Sequence, residues 1–307
     1  MPRSRQAAGK PRILTASLLG RWPLPLPDEE GDKEDRGRVM VVGGSREMPG
    51  AVILAATAAL RAGAGKLRIA TARGAAQLIA SEVPEARVFS LPETRSGAMD
   101  PREARAIAER AEKARAVLVG PGLIDEGAVA RLMKDLISRI THAVVVIDAT
   151  ALFFLGRDRQ ALHPLEGRAI LTPHASEMER LLGESEATIK ADPASAARRA
   201  AERFQATVVL KGRHTLIAQP AGEIYANRTG NVGLATSGSG DVLAGVIVGL
   251  AARGATPDQA AAWGVYLHGR AGDRLAKRMG KLGFLARELP GEVPALMNSF
   301  DRRKKGR

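Results

Sequence analysis

The sequence predicts an α/β fold of three layers, α/β/α, with a mostly parallel central sheet. Three observations predict it. Short unbroken runs of Val, Ile and Leu recur along the 307 residues, as in strands buried on both faces. Ala-rich and charged segments of helical length alternate with them. The polar and glycine-rich residues gather just after the strands, where ligands bind in such sheets.

The elements follow in order. Residues 1–36, rich in Pro and charge, read as an N-terminal extension, with a short helix at 16–22 and a linker at 23–36. The domain spans 37–292, and 293–307 is a basic tail. Residues 39–42 are an apolar run ending in Gly43-Gly44, a buried strand, and 51–62 are an Ala-rich helix. Residues 67–70 are strand-like and 102–114 a charged, Ala-rich helix. The strand 116–119 runs into the turn Gly120-Pro121-Gly122, followed by a helix at 126–139. A strand at 143–147 ends at Asp148, and another at 169–171 ends at Thr172-Pro173. Helices at 176–182 and 194–204 precede a strand at 207–210, which turns at Lys211-Gly212 into a hairpin partner at 215–218. Helices at 242–252 and 257–279 complete the domain.

Composition narrows the function. Cysteine is absent, which excludes disulfides, thiol catalysis and Cys-based zinc sites. Aromatics are 3%, too few for base-stacking platforms. The formal net charge of +13 raises nucleic-acid binding, but the charge is concentrated at the two ends, as in solvated tails. A basic balance also suits small anionic ligands, so no nucleic-acid partner is expected. The N-terminus lacks the apolar region of a signal peptide, and no apolar run is long enough to cross a bilayer. A soluble, cytoplasmic protein with no membrane partner is the expectation.

Gly238-Ser239-Gly240-Asp241 is the most informative segment. Glycines let backbone N–H groups approach an anion, and a helix N-terminus adds partial positive charge. Asp241 is awkward there, because a carboxylate repels phosphate. It either caps the helix or serves a cation or a chemical task. The loop from Gly43 to Ala51 leads from strand to helix without the G-x-G-x-x-G spacing, and no P-loop is present. His174 and Glu177 are three apart at a helix start, which suits a shared cleft or plain capping; no second His cluster supports zinc. Lys211, Gly212, Arg213, His214 and Thr215 form a turn that suits a nucleotide phosphate or a solvated surface hairpin. Asp148 ends a buried strand, where a carboxylate bonds loop amides or holds a metal.

Taken in order, five segments resemble the ADP/ATP-dependent NAD(P)H-hydrate dehydratases. They are Gly43-Gly44-Ser45 with Met48-Pro49-Gly50-Ala51, Gly120-Pro121-Gly122-Leu123, Thr172-Pro173-His174 with Glu177-Met178, Lys211-Gly212 with His214-Thr215, and the stretch from Asn227 to Leu243. Val265-Tyr266-Leu267-His268-Gly269 with Ala271-Gly272-Asp273 extends the match, which covers about 36–290. The resemblance implies a ribokinase-like fold and repair of hydrated NADH and NADPH. ADP or ATP, with Mg²⁺, would phosphorylate the ring hydroxyl, and loss of phosphate would restore the double bond. Asp241 would then be the base, and Gly238, Ser239 and Gly240 would cradle the phosphoryl group. Residues 211–215 would hold the adenine nucleotide. Ala51, Gly122, His174 and Asp241 would contact the hydrate. Glu177 matches a position that holds a magnesium-bound water in related kinases. A homo-oligomer, a tetramer, is also implied.

The chain departs from the family pattern in places. Ser237 stands where a glycine is frequent, which its backbone tolerates if φ is negative. Ile124 follows Gly-Pro-Gly-Leu in place of Gly. Thr150 replaces the second carboxylate of Asp-Ala-Asp-Ala-Leu, which weakens any metal role for that segment. The 36 residues before the core cannot hold the epimerase domain of many relatives, so a separate epimerase is the expected partner. The alternatives are a vitamin-precursor kinase of the same fold, a non-catalytic nucleotide-binding protein and a basic nucleic-acid-binding protein. Met48-Pro49-Gly50-Ala51 and Thr172-Pro173-His174 favour the dehydratase over the kinase.

Overall fold

The computed structural model describes residues 10–26, 30, 32–156, 158 and 160–305. Ten strands form a single sheet: β1 (Arg12–Ile13), β2 (Arg38–Val42), β3 (Lys66–Ala72), β4 (Ala86–Leu91), β5 (Ala116–Val119), β6 (Val144–Ile147), β7 (Ala169–Leu171), β8 (Thr207–Leu210), β9 (Thr215–Ala218) and β10 (Ile224–Asn227). Their spatial order is β1-β10-β9-β8-β7-β6-β5-β2-β3-β4. Neighbours pair in parallel except where β9 meets β8 and β10, so β9 alone runs against the rest.

The helices are α1 (Ala16–Gly20), α2 (Pro49–Arg61), α3 (Arg73–Glu82), α4 (Ala104–Ala111), α5 (Glu126–Ile137), α6 (Ala175–Leu182), α7 (Glu186–Ala191), α8 (Pro193–Phe204), α9 (Ser239–Ala252), α10 (Pro257–Met279) and α11 (Leu289–Lys305). One apolar core lies between the sheet and α2, α3, α9, α10 and α11; a second lies under α4, α5, α6 and α8. This is the three-layer arrangement that the strand and helix alternation predicts.

Helix α9 is apolar all round, as a helix inside a core must be, and Val242 through Ala252 are buried. Its glycines let it lie directly on α2: a Cβ at Gly245 would overlap the Ala55 carbonyl oxygen, and one at Gly249 that of Ala59. The Ala-rich face of α2 is the other half of this close approach. The packing fixes the N-terminus of α9 relative to the start of α2.

Strand order reverses between β2 and β5. The chain leaves β2 toward β3 and β4, then returns to the far side of β2 with β5. Loops diverge from such a switch point and leave a crevice beyond the strand ends. Here they are Gly43-Gly44 after β2 and Gly120-Pro121-Gly122 after β5, joined by a bond from the Gly44 N–H to the Pro121 carbonyl at 2.8 Å.

The first 36 residues do more than lead into the domain. Strand β1 adds to β10 at the sheet edge, Leu14 and Leu19 are buried, and Trp263 Nε1 donates to the Trp22 carbonyl at 2.8 Å. Among the described residues of this charged, Pro-rich segment, Leu14 and Leu19 enter the core while Ile13 and Leu26 stay exposed. Helix α11 likewise crosses the boundary drawn at 292, with Val293 and Leu296 buried. Among the described residues, no helix is long and apolar enough to cross a membrane.

Candidate active site

The helix beyond the glycine loop begins three residues before 242, at Ser239, and its N-cap is Gly238 with φ +83°. A glycine suits that left-handed backbone, and a Cβ there would strike Leu54 of α2. Ser237 is exposed and is not among the residues with positive φ, so its side chain is accommodated at the surface. Asp241 therefore does not cap the helix. It is the third residue of α9, and no side chain caps that helix. In the first turn the Ser239 N–H donates to the Thr236 carbonyl at 3.2 Å, and the N–H groups that follow it are the ones turned to an anion.

A cavity of about 1060 Å³ opens beside this turn. Ser239 and Gly240 line one side; Lys211, Gly212, Arg213, His214 and Thr215 line another, and His174 and His268 also face it. The five residues expected to hold a nucleotide are thus together, in the β8–β9 hairpin, beside the anion cradle. Arg213 and His214 are exposed. Lys211 is not free in the same way. Its Nζ donates to Asp148 Oδ1 at 3.0 Å and lies 3.6 Å from Glu177 Oε2. Burial alone would depress this ammonium, but the carboxylates of Asp148, Glu177 and Asp241 outweigh it and hold the lysine above its ordinary value.

Ala51 and Gly122 meet at the switch point rather than in this cavity. A Cβ on Gly122, whose φ is +70°, would lie 3.3 Å from Ala51 Cβ and would overlap the Met48 carbonyl oxygen. Only glycine fits there. The first turn of α9 touches α2 through Gly238 and Leu54 on one side and bounds the cavity through Ser239 and Gly240 on the other. Asp241 stands on that turn.

His174 and Glu177 form a capping box at the start of α6. Glu177 Oε2 accepts the His174 N–H at 2.7 Å, and His174 Nδ1 accepts the Glu177 N–H at 3.3 Å. His174 still reaches the cavity, while the Glu177 carboxylate is committed to the box and to Lys211. No group of three or more His, Asp or Glu side chains that could hold a metal is found among the described residues. A magnesium ion needs only one or two carboxylates when nucleotide phosphates supply the other ligands, so the lack of such a group does not argue against one.

Asp241 is half-buried. Burial first, and the Asp148 carboxylate second, push its carboxyl up to about 7, against the attraction of Lys211. A carboxyl poised there can take a proton near neutrality. His268 of α10 is pulled down to about 4 by burial, so it is neutral, and its Nε2 lies 3.1 Å from Ser239 Oγ. Asp148, almost fully buried, also accepts from Thr172 Oγ1 at 2.6 Å. The sequence reads Asp148 as a carboxylate bonding loop amides or a metal, whereas its partners are the side chains of Thr172 and Lys211; His268 has no role assigned from the sequence. Their one signal is position, at a strand end and within the Val265 to Asp273 segment.

The comparisons agree with this geometry. The family model for NAD(P)H-hydrate dehydratase matches residues 39–294. The chain is 45% identical over 291 residues to an ADP-dependent (S)-NAD(P)H-hydrate dehydratase of Xanthomonas campestris pv. campestris, covering 95% of this chain and 98% of that protein. It is 42% identical to a bifunctional NAD(P)H-hydrate repair enzyme of Moorella thermoacetica, covering 94% of this chain and 54% of that protein. Among solved structures, an ADP/ATP-dependent NAD(P)H-hydrate dehydratase from Bacillus subtilis, co-crystallised with ATP/Mg²⁺, superposes with a TM-score of 0.78 at 31% identity, covering 94% of this chain and 98% of that one. A ribokinase-like superfamily protein of Enterococcus faecalis superposes at 0.81 and 28% identity, covering 94% and 96%. A hydroxyethylthiazole kinase of Pyrococcus horikoshii, at 17% identity and a TM-score of 0.59, shares the fold alone. With a ribokinase-like sheet, a switch-point crevice and a family match across most of its length, this chain belongs to the NAD(P)H-hydrate dehydratase family.

Proposed function

We propose that this chain restores NADH and NADPH from the S form of their hydrates, with ADP as phosphoryl donor and ATP as a possible substitute. The observation that carries the reading is Asp241, a carboxyl raised to about 7 on the first turn of an uncapped helix beside a nucleotide-sized cavity. The ring hydroxyl of the hydrate would lie against Asp241, with the dinucleotide at Ala51 and Gly122 and His174 at its edge. The adenine nucleotide would occupy the cavity, its transferring phosphoryl group facing the amides of Gly238, Ser239 and Gly240. Of these, the Ser239 N–H also donates to the Thr236 carbonyl at 3.2 Å, so the amides on either side of it would carry most of the charge that develops on that group. Asp241 takes the hydroxyl proton as the ring oxygen bonds to the terminal phosphorus and the bond from that phosphorus to the departing AMP (ADP, where ATP is the donor) breaks. The ring carbon–oxygen bond then breaks, inorganic phosphate leaves, and loss of a proton from the neighbouring ring carbon restores the double bond. Magnesium, bound with the nucleotide phosphates, would offset their charge.

A separate epimerase would supply the S form, and the chain would act as a homo-oligomer. The names of the relatives support the choice of ADP. The deciding assay adds hydrated NADH to the protein with ADP, then with ATP, and follows the returning absorbance of the dihydronicotinamide ring. Recovery with release of inorganic phosphate is expected. No recovery with either nucleotide defeats the proposal, and a stable phosphorylated product would point to a kinase of the same fold.

A further inference from the structure

We propose that Asp148 is a positioning residue for this reaction: acting through Lys211, it governs when Asp241 takes up and holds its proton. The inference rests on Asp241 being the base. It starts from the partners of Lys211. Its backbone N–H donates to the Pro173 carbonyl at 2.8 Å, its ammonium to Asp148 at 3.0 Å, and Glu177 lies 3.6 Å away.

The ammonium also lies against the catalytic turn. A Cβ at Gly240, the residue before Asp241, would stand 3.6 Å from Lys211 Nζ. The charged groups that bear on Asp241 are Asp148 at the end of β6 and Lys211 in the hairpin; on the neighbouring elements, Glu177 of α6 lies against Lys211 and neutral His268 of α10 against Ser239. Two carboxylates, Asp148 and Glu177, pair with the ammonium directly, and Asp241 feels its charge without pairing with it. Asp148 is 3% exposed and bonded by Thr172 Oγ1 as well as Lys211, and Glu177 is held by its capping box. Asp241 is left as the group that can surrender its charge. Raising its proton affinity is what suits it to draw a proton from an alcohol near neutral pH.

The test is the acid limb of the kcat/KM profile in two variants of opposite sign. Asp148→Asn removes one negative charge and frees Lys211 for Asp241; its limb moves to lower pH by about one unit, a tenfold change in proton affinity. Lys211→Met removes the counter-ion, and its limb moves to higher pH by a similar amount. Lys211→Arg keeps the charge and leaves the limb in place. ADP affinity, measured by equilibrium titration, changes less than about threefold in Asp148→Asn, while Lys211→Met is read from the position of its limb alone. Should Asp148→Asn fail to fold, the two Lys211 variants decide. An unmoved limb in Lys211→Met, with ADP binding weakened tenfold or more, makes Lys211 a phosphate ligand and overturns the inference. An unmoved limb with unchanged ADP binding overturns it equally. A wild-type protein that restores no NADH defeats the functional proposal instead.

Discussion

Replacing Asp241 with Asn should stabilise the protein while destroying its activity, and the gain should depend on pH. The carboxyl is raised from 3.8 to about 7 in the fold. The folded state therefore keeps a proton that the unfolded chain sheds. The stability this group contributes is fully present below about pH 4 and is lost as pH rises through 7. A shift of about three units caps the effect at about 4 kcal/mol; solvent reaching the half-buried carboxylate reduces that to about 2 kcal/mol. Asn approximates the protonated form and has no such loss. Urea unfolding of Asp241→Asn and wild type at pH 4 and pH 8 measures the difference. The variant should match wild type at pH 4 and exceed it by about 2 kcal/mol at pH 8. Dehydration should fall by about 10²- to 10⁴-fold, as expected for a lost general base, with ADP binding retained. Equal stability of the two proteins at pH 8, or turnover that survives the substitution, would refute the assignment of Asp241 as a strained, poised base.

Further outcomes follow from the packing. Gly245→Ala places a methyl on the Ala55 carbonyl oxygen, so the denaturation midpoint should drop by the equivalent of about 2 kcal/mol or more, a typical overpacking cost. Leu19→Ala empties a fully buried position under the N-terminal segment; thermal unfolding should show a loss of about 2–4 kcal/mol, and no loss would mean the segment is not docked. Ala51→Leu projects into the switch point beside Gly122. Steady-state kinetics should show KM for the hydrate up by about tenfold or more, the cost of about 1.4 kcal/mol, with KM for ADP unchanged.

The core of the fold was legible because its strands are buried on both faces and so read as unbroken apolar runs. β5, β7, β8, β9 and the 23-residue α10 occur where those runs and the flanking Gly and Pro place them. The edge elements were not. β4 (Ala86–Leu91) alternates Arg, Ser and apolar residues with mostly partial exposure, and α3 before it is short and Ala-rich. β1 is two residues within a charged segment, and α11 carries Pro294 and the basic tail. Element type at a sheet edge is decided by what the segment docks on, which no local window contains. The same holds for the site. The glycine loop announced itself through composition, and ordered motifs supplied its neighbours. The pairing of Lys211 with Asp148, 63 residues apart, arises only when the sheet sets the ends of β6 and β8 on the same edge.

That pairing also bears on why a carboxylate stands beside a phosphate cradle. An anion-binding turn attracts negative charge, so an ionised Asp241 should be stabilised by its helix and be a weak base. Burial and Asp148 act in the other direction, and together they prevail. Lys211 limits how far they go, because without it two neighbouring carboxylates would face each other unscreened. The cradle can therefore hold a phosphoryl group and a proton acceptor on one helical turn. The acceptor is neutral while it carries the proton, so it does not repel the phosphate formed next to it. A helix-capping aspartate would have served the anion site no better than serine. Its displacement into the first turn, with Gly238 taking over as the cap, is what the proposed proton transfer beside an anion site requires.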